Sequence, residues 1–407
     1  MAINLSARPR VIEISLENQL LAACCRVKLD SRSAERIQKC VEHPIHWDQL
    51  IQAASKQAVL PLLYHQLHST ARQYVPERIL VELRRYGLAT ALRNQFLSQA
   101  LHTVLDVLRD DGIRAIPYKG LLLAATAYGN LALRQVGDLD LWVHPSDYLS
   151  GRALLTAHGY EPIPEFDLGW ESAFRSPNNR VAIDLHQALL PHYFGVRLNF
   201  DVLWERCVPV DVAGKTVPNL APEDVLSVLC LQLFKDVAHQ RLVLRQICDI
   251  AELLRAYPQL EWSQLESRTA ARGMRRQLCL GLRVAHEVLG AELSDPALRM
   301  IKSELSLGPL VRKTISDLFI GRRAGDSATS QILHEHLCIA RWGVGPARKL
   351  GAAIVGVTYL LRIRPTDRDR ELIPLPASLS FLYYLIRPLR LMVKHLLLRP
   401  AERFLPR

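Results

Sequence analysis

Two aspartates separated by one leucine interrupt what otherwise reads as a buried strand, Gly137-Asp138-Leu139-Asp140-Leu141-Trp142-Val143. Side chains at i and i+2 of an extended chain point the same way, so Asp138 and Asp140 leave one face together while Leu139, Leu141 and Val143 pack into the core. Two crowded carboxylates repel, and burying them is costly unless a cation lies between them. For an all-oxygen pair the fitting cation is a hard divalent ion such as Mg²⁺. The motif thus calls for a sheet with one face in the core and the other carrying a metal.

The flanking sequence places further chemistry around that strand. Ile113 to Lys119 reads as a short strand ending in a Lys119-Gly120 turn, and Leu121 to Tyr128 as a helix closing near Gly129-Asn130. A helix that opens after a glycine turn offers unpaired N–H groups where a phosphate can rest, and Lys119 adds a charge. Downstream, Phe174 to His186 reads as two strands joined by a Pro177-Asn178-Asn179 turn, with Asp184 and His186 on one face of the second. This mixed α+β order brings Asp138, Asp140 and Asp184 within reach of one cation site. Plainer roles exist for each residue: Asp184 as an edge-strand acid, His186 as a structural donor, and Lys119 and Arg134 as neutralisers of the aspartates.

With Lys119-Gly120, a helix, Arg134, Asp138-x-Asp140 and later Asp184-Leu185-His186, the chain resembles the polymerase-beta-like nucleotidyltransferase superfamily and, within it, bacterial nucleotidyltransferase family proteins. Lys119-Gly120 stands where the superfamily at large carries Gly-Ser. The resemblance extends to Trp47-Asp48-Gln49-Leu50, Pro61-Leu62-Leu63-Tyr64, Lys235 and Asp249 to Leu254. It implies an α+β fold, a small mixed-sheet nucleotidyltransferase core flanked by N-terminal and C-terminal helical regions. It implies metal-dependent transfer of a nucleotidyl group from an NTP to an acceptor hydroxyl on a small molecule, glycan or peptide, with two Mg²⁺ ions held by Asp138, Asp140 and Asp184. In that reading the three acids are catalytic, Asp184 also helping to remove the acceptor proton, and Lys119, Gly120, Arg134, His186 and Lys235 bind the nucleotide. Two alternatives use the same residues: glycosyl transfer from a sugar nucleotide at the same metal site, and a non-catalytic nucleotide-binding or antitoxin-like partner protein. Three intact, mutually repelling acids argue against the last.

Charge is unevenly distributed. Residues 341–407 carry 13 Lys or Arg against 4 acids, so +9 of the chain's net +11 lies in the tail and the rest is near neutral. Nucleic acid is therefore not an expected partner of the body. The stretch Phe381 to Arg399, with Arg387, Arg390 and Lys394, mixes aromatic, aliphatic and cationic residues as interfacial helices do. It reads as a terminal helix docked by its apolar face, with peripheral contact to a membrane or an acidic partner as the other use. The longest late apolar run, Leu350 to Leu361, has 12 residues, short of the roughly 20 that span a bilayer. Eight cysteines without a Cys-x-x-Cys ladder, and no apolar leader after Met1, fit a cytoplasmic protein, with the peripheral association as an addition.

The helical and strand patterns divide the chain into an N-terminal helical cap at 1–95, the nucleotidyltransferase core at 96–215, a C-terminal helical domain at 216–340 and a basic amphipathic tail at 341–407. Within the third, Val225 to Arg255 reads as one long helix on which Arg241, Arg245 and Asp249 share a face at i, i+4 and i+8 as a surface ion-pair ladder. His334-Glu335-His336 with Cys338 hints at a metal site but reads as a solvated helix.

Overall fold

A computed structural model of the protein describes residues 14–191, 194–319 and Cys338. The His334-Glu335-His336 cluster, the Leu350–Leu361 run and the basic tail lie outside the described residues. Up to residue 319 these belong to one compact unit.

Five helices lead in: α1 (Leu16–Cys24), α2 (Ser31–Val41), α3 (Trp47–Lys56), α4 (Leu60–Thr70) and α5 (Glu77–Asp110). α1 and α2 open on Ser15 and Asp30, whose side chains accept the free amides of Asn18 and Ser33. Pro61 sits in the first turn of α4, where a missing amide is harmless. α5 runs 34 residues, and Leu97, Leu101, Val104 and Leu108 form an apolar stripe along its second half. The expected 95/96 boundary falls inside this helix. It carries the stripe into the core, so cap and core share one rigid element.

The core then follows as β1 (Ala115–Pro117), α6 (Gly120–Thr126), β2 (Leu139–Val143), α7 (Tyr148–Ala157), β3 (Glu161–Pro162), β4 (Glu171–Arg175) and β5 (Ala182–His186). The sheet order is β1-β2-β5-β4-β3, with β2 and β5 parallel and the other pairs antiparallel. A parallel pair needs a long crossover, which α7, β3 and β4 provide. Leu139, Leu141 and Val143 of β2 and Ile183 and Leu185 of β5 meet the α5 stripe in one apolar cluster. Period-2 alternation then forces Asp140 and Asp184 to the other face.

After α8 (Phe200–Trp204), a hairpin of β6 (Val208–Val212) and β7 (Lys215–Asn219) forms a second small sheet. Its turn, Ala213-Gly214, takes positive φ at both residues. The alternation Val208, Val210, Val212 before that turn is its sequence signature. The expected boundary after residue 215 falls at the start of β7.

Five long helices and one shorter helix complete the described unit: α9 (Pro222–Ala238), α10 (Leu244–Ala256), α11 (Trp262–Ala271), α12 (Arg275–Leu289), α13 (Asp295–Ser303) and α14 (Gly308–Phe319). The single helix expected over Val225 to Arg255 is therefore two, α9 and α10. The chain breaks between them, with Gln240 in the left-handed region at φ +56°. Arg241 thus leaves the face that Arg245 and Asp249 share, and no surface ladder forms. No described helix is long and apolar enough to cross a membrane, and the eight cysteines are free thiols.

α9 is buried on nearly every side, as a helix packed among α10, α11 and α12 must be. It meets α12 at Gly281, where an added Cβ would lie 2.9 Å from the Cys230 Cβ, nearer still to its Sγ. Gly281→Ala is expected to destabilise the fold by about 1–3 kcal/mol through overpacking. Thermal melting of Gly281→Ala, Cys230→Ala and the double variant checks this. The double variant should lose less than the sum of the singles, and simple additivity would remove the close-approach account.

Candidate active site

One cleft of about 230 Å³ gathers all eight residues singled out in the sequence: Lys119, Gly120, Arg134, Asp138, Asp140, Asp184, His186 and Lys235. Its floor is the polar face of β2 and β5. Parallel register sets Asp140 opposite Asp184 and Trp142 opposite His186. Its roof is α9 and α10, which bring Gln232, Lys235, Asp236, Arg245, Gln246 and Asp249.

The turn before α6 is held in an unfavourable conformation. Lys119 sits at φ +60° and Gly120 at φ +36°, and a non-glycine residue kept there stores strain of about 1–3 kcal/mol. A Cβ at Gly120 would lie in van der Waals contact with Val136 Cγ1 at 3.4 Å. The turn aims Lys119 at the acids, with its Nζ 3.6 Å from Asp140 Oδ1.

His186 lies between two acids. Its Nε2 is 3.2 Å from Asp140 Oδ1 and its Nδ1 is 3.2 Å from Glu171 Oε2. Glu171 was not legible in the sequence, because only the β4–β5 register, which sets Glu171 opposite His186, brings it here. Tyr118 packs edge-on against the His186 ring at 5.4 Å and Trp170 lies 5.9 Å from it. These contacts orient the imidazole ring.

These neighbours decide the protonation of the acids. Burial alone would raise Asp140, but Lys119 and His186 outweigh it and hold the carboxyl well below the usual range. Asp138 moves the other way, raised by the charge of Asp140 and by burial. Asp184 is pushed up to about 7 by burial and by the charges of Asp140 and Asp138. Burial opposes a proton on His186, yet its contacts with Asp140 and Glu171 raise it overall. Lys235 is lowered by burial and by the nearby charge of Lys119.

Arg134 does something other than the phosphate contact expected of it. Only 4% exposed, it donates from Nε and Nη2 to the two carboxylate oxygens of Asp249 at 2.7 and 2.8 Å. Its Nη1 donates to the Gly120 carbonyl at 3.1 Å. The Tyr128 hydroxyl completes the set by donating to Asp249 Oδ1 at 2.9 Å. Arg134 therefore ties the Lys119-Gly120 turn to α10. The loop that carries it is held in turn by Asn94 of α5, which donates to the carbonyls of Leu131 and Arg134.

Single ligand atoms of Asp140, Asp184 and His186 lie within 4.8 Å of one another, a cluster that could bind a metal ion. Asp138 lines the same cleft beside them. The oxygen donors suit a hard divalent cation. His186 supplies the third ligand atom of that cluster, with Glu171 3.2 Å from its Nδ1, the arrangement in which a carboxylate behind an imidazole orients it toward a metal.

A family model described as "Uncharacterised nucleotidyltransferase" matches residues 43–290, more than half of the chain. The chain belongs to that nucleotidyltransferase family. No curated protein and no solved structure matches it. The family match runs from just before α3 to Gly290, the left-handed cap that ends α12. Every residue lining the cleft falls inside that span, with the helical roof as much part of the family match as the sheet.

In the unfolded chain the Asp184 carboxyl titrates near 3.8, against about 7 in the fold. Its neutral form therefore favours the folded state, fully below the lower value, and this contribution is lost as pH rises through the higher one. In the presence of chelator, Asp184→Asn should melt with the parent to within about 1 °C at pH 4 and several degrees above it at pH 8. A melting difference independent of pH would remove the crowding account.

Proposed function

We propose that the protein transfers a nucleotidyl group from an NTP to an acceptor hydroxyl, on a small molecule, glycan or peptide, in a metal-dependent reaction. The observation that carries this reading is the parallel register of β2 and β5. It places Asp140 beside Asp184 on a face that looks across the cleft at Lys235 and Arg245, inside the span that matches the nucleotidyltransferase family. The donor set fits Mg²⁺, two ions in this proposal, held by Asp138, Asp140 and Asp184. When bound, the metal polarises the phosphate under attack and neutralises charge on the attacking and leaving oxygens.

The chain's own groups supply the rest. Lys119, Gly120 and Lys235 form the nucleotide side of the cleft. The acceptor oxygen bonds to the α-phosphorus as the bond to the bridging oxygen of the β-phosphate breaks. The electron pair leaves with pyrophosphate, and the hydroxyl proton passes to a carboxylate oxygen of Asp184. His186, fixed by Glu171, keeps Asp140 ionised and aimed into the cleft. Exclusion of water falls to α9, whose Leu229 and Leu233 face the site.

Asp138→Asn and Asp140→Asn are expected to abolish Mg²⁺-dependent NTP binding and turnover together. Asp184→Asn should keep NTP binding while turnover falls by about 10²–10⁴, the range for losing a positioned base. Calorimetric NTP titrations with Mg²⁺, paired with mass analysis of products formed in cell extract, check this. If all three variants bind NTP as the parent does, the aspartates are structural and the reading fails. A hexosyl adduct in place of a nucleotidyl one would establish glycosyl transfer instead.

A further inference from the structure

Four cationic side chains line the cleft, Lys119, Arg134, Lys235 and Arg245, and they are not equivalent. Arg134 has its charge balanced by Asp249, and each of its three nitrogens donates to Asp249 or to the Gly120 carbonyl. The other three have no such partner. Lys119 shares Asp140 at 3.6 Å, outside hydrogen-bonding distance. Lys235 makes no ion pair among the described residues and rests over the Trp170 ring at 5.8 Å. Arg245 makes one hydrogen bond, from Nη1 to the Gln135 carbonyl at 2.9 Å, and no ion pair among the described residues. Its Nε is buried with no acceptor.

A buried guanidinium N–H without an acceptor is costly, by about 1–3 kcal/mol or more for a charged group. In a cleft wall it marks the place where a ligand supplies the missing oxygen. The acids Asp138, Asp140, Asp184 and Glu171 stand on the strand side; the helical side carries Lys235 and Arg245, with Asp236 bonded to Gln246 and Asp249 paired with Arg134. A ligand that suits both walls carries a cation and several anionic oxygens at once, which describes a metal-chelated polyphosphate. Arg245 also reaches the acid wall closely enough for its charge to oppose the rise at Asp138.

We infer that Arg245, with Lys119 and Lys235, binds the polyphosphate chain of the nucleotide, and that Arg134 instead positions the helix from which Arg245 projects. The inference rests on the nucleotidyl-transfer reading and deepens it. Arg is suited to this place because its planar fork can offer two N–H groups to neighbouring phosphate oxygens, whereas Lys offers a point charge. The arrangement also assigns the chain's departure from the Gly-Ser pattern a consequence. With Lys119-Gly120 in the turn, much of the grip on the phosphates moves from backbone and hydroxyl donors to side-chain cations on two different elements.

Tripolyphosphate, which has neither base nor sugar, isolates this contact. Its affinity and those of ATP, ADP and AMP are to be measured calorimetrically with Mg²⁺ for the parent, Arg245→Gln, Arg245→Lys and Asp140→Asn. For the parent, affinity should fall from ATP to ADP to AMP. Arg245→Gln should weaken tripolyphosphate and ATP by about 10- to 100-fold, the worth of charge-assisted hydrogen bonds, and AMP by less than about 3-fold. Arg245→Lys should recover part of the loss, and both variants should melt close to the parent because only the Gln135 contact is given up. If Arg245→Gln binds tripolyphosphate as tightly as the parent while Asp140→Asn does not, this inference is overturned and the nucleotidyl reading stands. If the parent binds none of the four ligands, both fall.

Discussion

Mutual repulsion among carboxylates governs this molecule. Parallel pairing of β2 with β5 is required to bury Leu139, Leu141, Ile183 and Leu185 on α5, and the same pairing sets Asp140 directly beside Asp184. Glu171 arrives from β4 by the adjoining register and Asp138 from the strand entry. Four acids on one face would oppose folding if left alone. The fold answers with Lys119 from a strained turn, His186 between two of the acids, and Lys235 and Arg245 from the helices above. The compensation is incomplete, since Asp184 remains near 7 and Asp138 above its ordinary value. That residual repulsion is what a cation in the Asp140, Asp184 and His186 cluster would relieve.

The second constraint is the buried pair of Arg134 and Asp249. Removing both charges from water is expensive, and close bidentate geometry with an added Tyr128 hydroxyl is what makes it tolerable. Such a pair is weak as a source of stability and strong as a specifier of geometry, because losing one partner strands a buried charge. Here it joins the loop ahead of β2 to α10, and through the Gly120 carbonyl it reaches the Lys119 turn. The pair therefore couples the sheet side of the cleft to its helical roof, and both of its residues line the cleft.

The strand that carries Asp138 and Asp140, the turn at Lys119-Gly120, and the hairpin that carries Asp184 and His186 were all legible from local pattern, since periodicity and turn chemistry act over a few residues. Long-range partners were not. Glu171 becomes part of the site only by facing His186 across a register that sequence spacing does not encode. The acid partner of Arg134 lies 115 residues away, beyond the reach of any local pattern. Arg245 and Asp249, one turn apart, looked like a solvent-facing ladder with Arg241. The break at Gln240 and the burial of Asp249 turned them inward to different tasks.

The amino-acid sequence by itself determined the elements and the chemical inventory: an apolar-backed strand with two acids, a third acid beside a histidine, a basic turn, and helices on either side. Those follow from side-chain alternation, hydrophobic period and backbone preference, which are local properties. Only the tertiary structure decided which charges meet. Pair energies fall off steeply with distance and depend on burial, so the same arginine is a phosphate ligand or a structural pin according to which carboxylate the fold brings within 3 Å of it.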